Sequence, residues 1–350
     1  MSFDEHKRTE IIIYLLERIA MDDSECVRNT SDRFDISATS VKRYIEKCIN
    51  EQILQKDDLK KCGYALRAET QAYECELSGD VPEEDILYSR WIEPFMADLP
   101  TNIQDIWAYT CMEMLNNAIE HSEGMRLSVC ILRNYLYTEV VITDDGVGVF
   151  EKVRRHIGRV QAREACMEDA LAELYKGKFT TAEENHSGER IFFSSKMMDQ
   201  FIASANGTMY IFHDHTEAMV RHRLITYYQK LNHIGTKVIM RLSNFSTRRS
   251  QEVFDMYTNA EGGFVKTYIP IRDACQTEKP IARSQARRLM RRLEGFEEVV
   301  LDFSEVAFCG QGFADEVFRV FRTAHPEVEL KAINADEDVM KMIRHVGFAL

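Results

Sequence analysis

Near the N-terminus apolar residues recur at helical spacing. Ile11, Leu15 and Ile19 predict a first helix, and Asp22-Asp23-Ser24 offers a cap for a second, through Val27 to Phe34. Ser37 caps a third, Ala38 to about Glu51, with Val41, Tyr44, Ile45, Cys48 and Ile49 inward. ILQK and YALR flank the polar DDLKKCG, which predicts two short strands around a turn ending in Gly63. This first segment spans residues 1–70. Residues 71–83, with Gly79 and Pro82 as breakers, read as a linker. From 84 to 250 helices alternate with strands, among them RLSVCILRN, TEVVITDD, GTMYIFHD and GTKVIMRLS. In 262–350 the predicted order is a strand (Phe264 to Ile269), a basic helix (Ser284 to Leu293) and a buried strand EVVLDFS. Helix FADEVFRVFRTA, strand ELKAINA and helix DEDVMKMIRHVGF complete it. The expected fold class is α+β multidomain, ending in a small α/β layer domain.

One predicted helix carries more than a core face. From about Asn102 onward, Ile106, Tyr109, Met112, Leu115 and Ile119 form an apolar stripe. In EMLNNAIEHS, Glu113 and Asn117 are four apart and share a face, with Asn116 beside them. A solvated polar face is the ordinary reading of such residues. Downstream, VITDDGVGVF runs a β-branched strand into Asp144-Asp145-Gly146-Val147-Gly148. A strand-end aspartate can accept a hydrogen bond from an adenine amino group, and the glycines let backbone approach a ligand closely. HSGERIFFSSKMMD then places Gly188 before an apolar helix, and Gly235-Thr236 opens the last strand of the segment.

This order of E-x-x-x-N, D-x-G-x-G, glycine-helix and G-T-strand resembles the ATP-binding domain shared by histidine kinases, gyrase, Hsp90 and the anti-sigma-factor serine kinases. The resemblance implies an α/β sandwich of the histidine-kinase-like ATPase type over 84–250, with a lid over about 151–189. It implies ATP and Mg²⁺ as cofactors, with Mg²⁺ on Asn117, a suitable hard oxygen ligand, and Asp144 reading adenine. Gly146 and Gly148 would shape the adenine pocket, Gly188 would begin the lid-closing helix, and Thr236 would back the adenine contact. Asn116 and His121 are further nucleotide contacts. Glu113 would act as general base on water or a hydroxyl. No histidine lies between His6 and His121, so the phosphoaccepting helix of a conventional sensor histidine kinase is missing. Two departures stand out. Gly188-Glu189-Arg190 has arginine for the second glycine of its box, where it would clamp a phosphate or crowd the lid, and Glu120 replaces a common basic phosphate contact.

The first segment resembles a winged helix-turn-helix. Thr39, Ser40, Lys42 and Arg43 would face DNA, with Lys60 and Lys61 at the wing tip; such domains also serve as protein contacts. The last segment, through VVLDFSEVAFCGQGFADEVF, resembles a STAS-like domain of unknown function. Where partner-switching members place a phosphorylated serine, this chain has Gly310-Gln311-Gly312, which points to a docking or sensing module. Its basic helix ARSQARRLMRR reads as a solvated face or a contact for an acidic partner.

Composition narrows the classes. With 45% hydrophobic and 29% charged residues the chain reads as globular, and a net charge of −13 argues against a nucleic-acid coat. Nine scattered cysteines without a CxxC pair suggest neither a disulfide frame nor zinc, and point to reducing cytoplasm. No apolar run approaches membrane-span length. The expectation is a cytoplasmic, nucleotide-controlled DNA-binding or partner-switching regulator, with double-stranded DNA, a protein partner and a homodimer as candidate partners. The alternatives are a serine/threonine kinase or ATPase acting on a separate partner, and a scaffold with structural ATP.

Overall fold

Asp4 accepts a hydrogen bond from the Lys7 amide at 2.7 Å and so caps α1, Glu5–Ala20. The computed structural model of the protein describes residues 4–79, 81–161, 164–178, 187–213 and 234–347. The chain divides into two compact units. One comprises Met1–Ala72, Cys130–Val140 and Arg241–Ser246, and the other Tyr73–Val129, Val141–Met240 and Thr247–Leu350.

In the first unit α1 packs with α2, Cys26–Phe34, and α3, Ala38–Asn50. Ser37 Oγ accepts from the Ser40 amide at 3.1 Å, the expected cap. Strands β1, Leu54–Lys56, and β2, Tyr64–Leu66, pair antiparallel with Leu54 opposite Leu66. Leu15, Leu16, Ile19, Val41, Ile45 and Leu54 form the core, and Leu136 from a distant hairpin joins it. Each such side chain contributes about 1.5–3 kcal/mol on full burial. Asn134 shapes that hairpin, its Oδ1 accepting from the Leu136 and Tyr137 amides at 2.9 and 3.0 Å.

A sheet of order β3-β4-β5-β8-β6-β7 runs through the middle of the sequence. Its strands are β3, Ala68–Glu76; β4, Arg126–Asn134; β5, Tyr137–Asp144; β6, Gln200–Ala205; β7, Thr208–His213; and β8, Lys237–Ser243. β3 takes up the start of the stretch expected to be a linker. Only Tyr73 and Cys75 in it are even partly buried, as suits an edge strand, so its alternation is hidden among polar residues.

Helix α4, Thr101–His121, buries Ile103, Ile106, Trp107, Cys111, Met114, Leu115 and Ala118. The expected stripe is thus rotated: Tyr109, Met112 and Ile119 are only half-buried. Tyr109 meets Phe254 of α8, Ser250–Tyr257, edge-on at 5.3 Å, which uses its ring outside the main core. Between them in sequence lie α5, Val149–Gln161; α6, Met167–Lys176; and α7, Ser187–Met197. The expected lid is therefore largely helical, and α6 is buried at every position from Asp169 to Lys176. Residues 162–163 and 179–186 of that lid lie outside the described residues.

The last segment forms a parallel sheet of order β11-β10-β9, from β9, Lys266–Pro270; β10, Glu298–Asp302; and β11, Glu329–Ile333. Leu301 sits opposite both Ile269 and Ala332, and burial of β10 on both faces explains its continuous apolar run. Helix α9, Arg283–Met290, buries Ala286, Leu289 and Met290. Among the described residues no helix is long and apolar enough to cross a membrane.

Candidate functional site

Helical period 3.6 stacks Glu113, Asn117 and His121 on successive turns of α4. Asn117 and His121 line a partly open cleft of about 60 Å³. Its other walls come from Asp144 at the end of β5, Lys152 on α5, Leu174 on α6, Ile191 on α7 and Thr236 beside β8. The lining is mostly apolar, with these few polar groups converging on it.

Asp144 is buried. Its Oδ1 accepts from the amides of Gly146 at 2.9 Å and Thr236 at 3.1 Å. Burial pushes its carboxyl above the usual range, and the two amides oppose that shift. Thr236 Oγ1 in turn accepts from the Val149 amide at 3.0 Å, tying β8 to the start of α5. The neighbouring Asp145 has a different task. Its Oδ1 accepts from the Met125 and Arg126 amides at 2.7 and 2.8 Å, and these bonds hold its pKa down. Only the first aspartate of the pair faces the cleft.

The turn between them tolerates no side chain at Gly146, where a Cβ would lie 2.0 Å from the Ser122 carbonyl oxygen. Gly148 has φ +86°, a left-handed conformation that glycine adopts without strain. Gly188 is the second residue of α7.

On α4, Asn117 Nδ2 makes one weak contact, to Met114 Sδ at 4.0 Å. His121 Nε2 is buried without a hydrogen-bond partner, 3.8 Å from Glu120 Oε2. Burial lowers the His121 pKa and Lys152 adds to the effect, which favours the neutral ring. Glu113, Asn116 and Arg190 are grouped together but do not line the cleft. Arg190 Nε lies 3.1 Å from Glu113 Oε2, while Nη1 donates to Asn116 Oδ1 at 2.7 Å. Glu113 Oε2 is nonetheless without a hydrogen bond, because the Nε–H is misaligned. Burial raises the Glu113 pKa and Arg190 lowers it.

Lys152 is a cleft residue that sequence reasoning missed. It follows the glycine turn by one helical turn, donates to the His121 carbonyl at 2.6 Å, and brings a cation to the cleft. The only signal was a lysine shortly after the D-x-G-x-G turn.

Of the residues expected at DNA, Thr39, Lys42 and Arg43 are exposed on α3, while Ser40 is partly covered with its hydroxyl 3.0 Å from Ser37 Oγ. Lys60 and Lys61 are exposed in the β1–β2 turn, beside Leu59, which is 95% exposed. The described residues hold no cluster of three or more acidic, histidine or cysteine side chains suited to a metal.

No curated protein matches this chain. Residues 285–340 match a family described as a STAS-like domain of unknown function (DUF4325), and the chain carries a STAS-like domain there.

Proposed function

We propose that the cleft binds ATP with Mg²⁺, and that the nucleotide state controls engagement of DNA or a protein partner by the flanking domains. The observation that carries this reading is on α4 at the cleft: a buried imidazole nitrogen on His121 without a hydrogen bond stands one turn from the little-used carboxamide of Asn117. Buried polar atoms left without partners are costly in a finished site, and a polyphosphate with its ion would supply them. Asp144, at the apolar end, suits the amino group of adenine.

The residues fit magnesium in one respect: a single carboxamide suffices for an ion held mainly by phosphate oxygens and water. Asn117 would hold it, and it would neutralise phosphate charge. Lys152 and the neutral His121 would contact the phosphates. Glu113 would accept the proton of an attacking water or hydroxyl, with burial raising its basicity. The fold of α1 to β2 is consistent with a winged helix, and its exposed Lys42, Arg43, Lys60 and Lys61 support DNA as one partner.

Equilibrium dialysis of the full chain with labelled ATP, with and without Mg²⁺, tests the reading. Asn117→Ala should lose Mg²⁺-dependent binding, whereas Glu113→Gln should keep binding and lose phosphate release or transfer. Unchanged affinity in the Asn117 variant sinks the site.

A further inference from the structure

The basic helix of the STAS-like domain finds its carboxylates inside this chain. On one side Arg283 and Arg287 reach Asp315 and Glu316, each at 2.9 Å. On the other side Arg288 and Arg291 stand 3.4 Å from Asp169 Oδ1, and Arg292 lies 3.6 Å from Glu173 Oε2. Both of these acids belong to α6 and are buried.

Lys176, one turn further along α6, is 2% exposed. It donates to Glu173 Oε1 at 2.8 Å and to the carbonyls of Arg288 and Arg291 at 3.2 and 2.7 Å. Those carbonyls lie at the C-terminal end of α9, so the ammonium caps that helix and meets the negative end of its dipole. Thr267 of β9 donates its hydroxyl to the Lys176 carbonyl at 3.0 Å. Leu174, within the same turn of α6, lines the cleft. One helix is therefore both a wall of the cleft and the socket of the STAS-like domain.

We infer that docking of α9 against α6 holds this wall in its ligand-binding position, so that nucleotide binding and docking of the STAS-like domain reinforce each other. The inference rests on the nucleotide reading of the cleft. A molecule with α9 released keeps Leu174 on a helix whose buried Asp169 has lost Arg288 and Arg291 and whose Glu173 has lost Arg292 while keeping Lys176. Observed affinity then scales with the docked fraction. Reciprocity follows from linkage: whatever docking adds to nucleotide affinity, nucleotide adds to docking. The basic helix is thus an internal contact, and an external acidic partner would have to displace Asp169 and Glu173.

The test uses the full chain, a fluorescent ATP analogue with Mg²⁺, and hydrogen exchange of amides in 167–176 and 283–292. The variants are Arg288→Ala with Arg291→Ala, and Arg288→Lys with Arg291→Lys. Both arginines are partly exposed, at 30% and 44%, so truncation spares the core. The alanine variant should exchange faster in both helices without ligand, and should bind the analogue about tenfold more weakly, as for a docked fraction near one tenth. The lysine variant should recover most of the affinity. In the wild type the analogue should slow exchange across 283–292. A wild type that binds the analogue with no change in that exchange, or an alanine variant of wild-type affinity, overturns the inference alone. A wild type that binds no analogue removes the nucleotide reading and the linkage with it, while ligand-free exchange in the variants still reports on docking.

Discussion

Replacing Lys176 by alanine isolates the weight of the buried contact between α6 and α9. In the wild type the ammonium is satisfied by one carboxylate oxygen and two carbonyls at 2.7–3.2 Å. Without it, Glu173 keeps only Arg292 at 3.6 Å, and the two carbonyls lose that partner. Breaking one side of a buried ion pair costs about 3–5 kcal/mol. For a cooperative unit of roughly 150–250 residues, each kcal/mol moves the midpoint by about 2–4 °C, so a drop of roughly 6–20 °C is expected. The combination Lys176→Met with Glu173→Leu removes both charges together. Arg292, 47% exposed, can then turn to water. What remains is the cost of two poorly satisfied carbonyls, about 1–3 kcal/mol each at most. The double variant should therefore be more stable than Lys176→Ala. Differential scanning calorimetry of the single and double variants decides it. An alanine variant that melts within about one degree of the wild type refutes the reasoning, since a buried charge network cannot be that cheap to break.

Burial pushes the Lys196 ammonium down to about 7, with Asp302 and Asp273 acting against the shift. Phe212 and Tyr268 cover it at 4.2 and 4.6 Å. The unfolded chain then binds more protons than the folded one between about pH 7 and 10, so stability should rise across that window. Unfolding at stepped pH should show the rise in the wild type and lose it in Lys196→Met; equal slopes refute the shift. For the N-terminal unit, Lys42→Ala with Arg43→Ala should make the slope of log affinity against log salt shallower by about two, one for each phosphate left without its cation. An unchanged slope and affinity mean that this unit contacts protein and not DNA.

What the sequence disclosed was local. The cap at Ser37, the β1–β2 turn and the D-x-G-x-G turn are short-range patterns, and each forms where its residues stand. The difference between Asp144 and Asp145 was legible only through strand alternation, which sends one to the cleft and the other to the Met125 and Arg126 amides. Long-range pairings left no pattern to read. Nothing near Leu136 announces that it completes the core of the first unit. Nothing near Asp169 announces an arginine more than a hundred residues away. The edge strand β3 escaped because its apolar positions are two half-buried residues in a polar run. The basic helix was ambiguous because charge spacing on a helix is the same whether it faces water or buried acids.

Arg190 ties these levels together. In place of a glycine at the start of α7 it puts a guanidinium against Glu113 and Asn116. Glu113 is a carboxylate it pairs with, at 3.1 Å. If the proposed nucleotide binds, its terminal phosphate, with more charge and more acceptor atoms than a carboxylate, would compete for the same donors. Arg190 itself stands in the first turn of α7. That helix also carries Ile191 into the cleft and, at its other end, Lys196 against Tyr268 of β9. Both helices that face the cleft from this side, α6 through Leu174 and α7 through Ile191, thus also touch the last segment of the chain, at Arg291 and Tyr268. The arginine at position 190 is therefore more than a departure from the glycine box. It ties the Glu113 carboxylate to a helix whose far end packs against Tyr268 of β9.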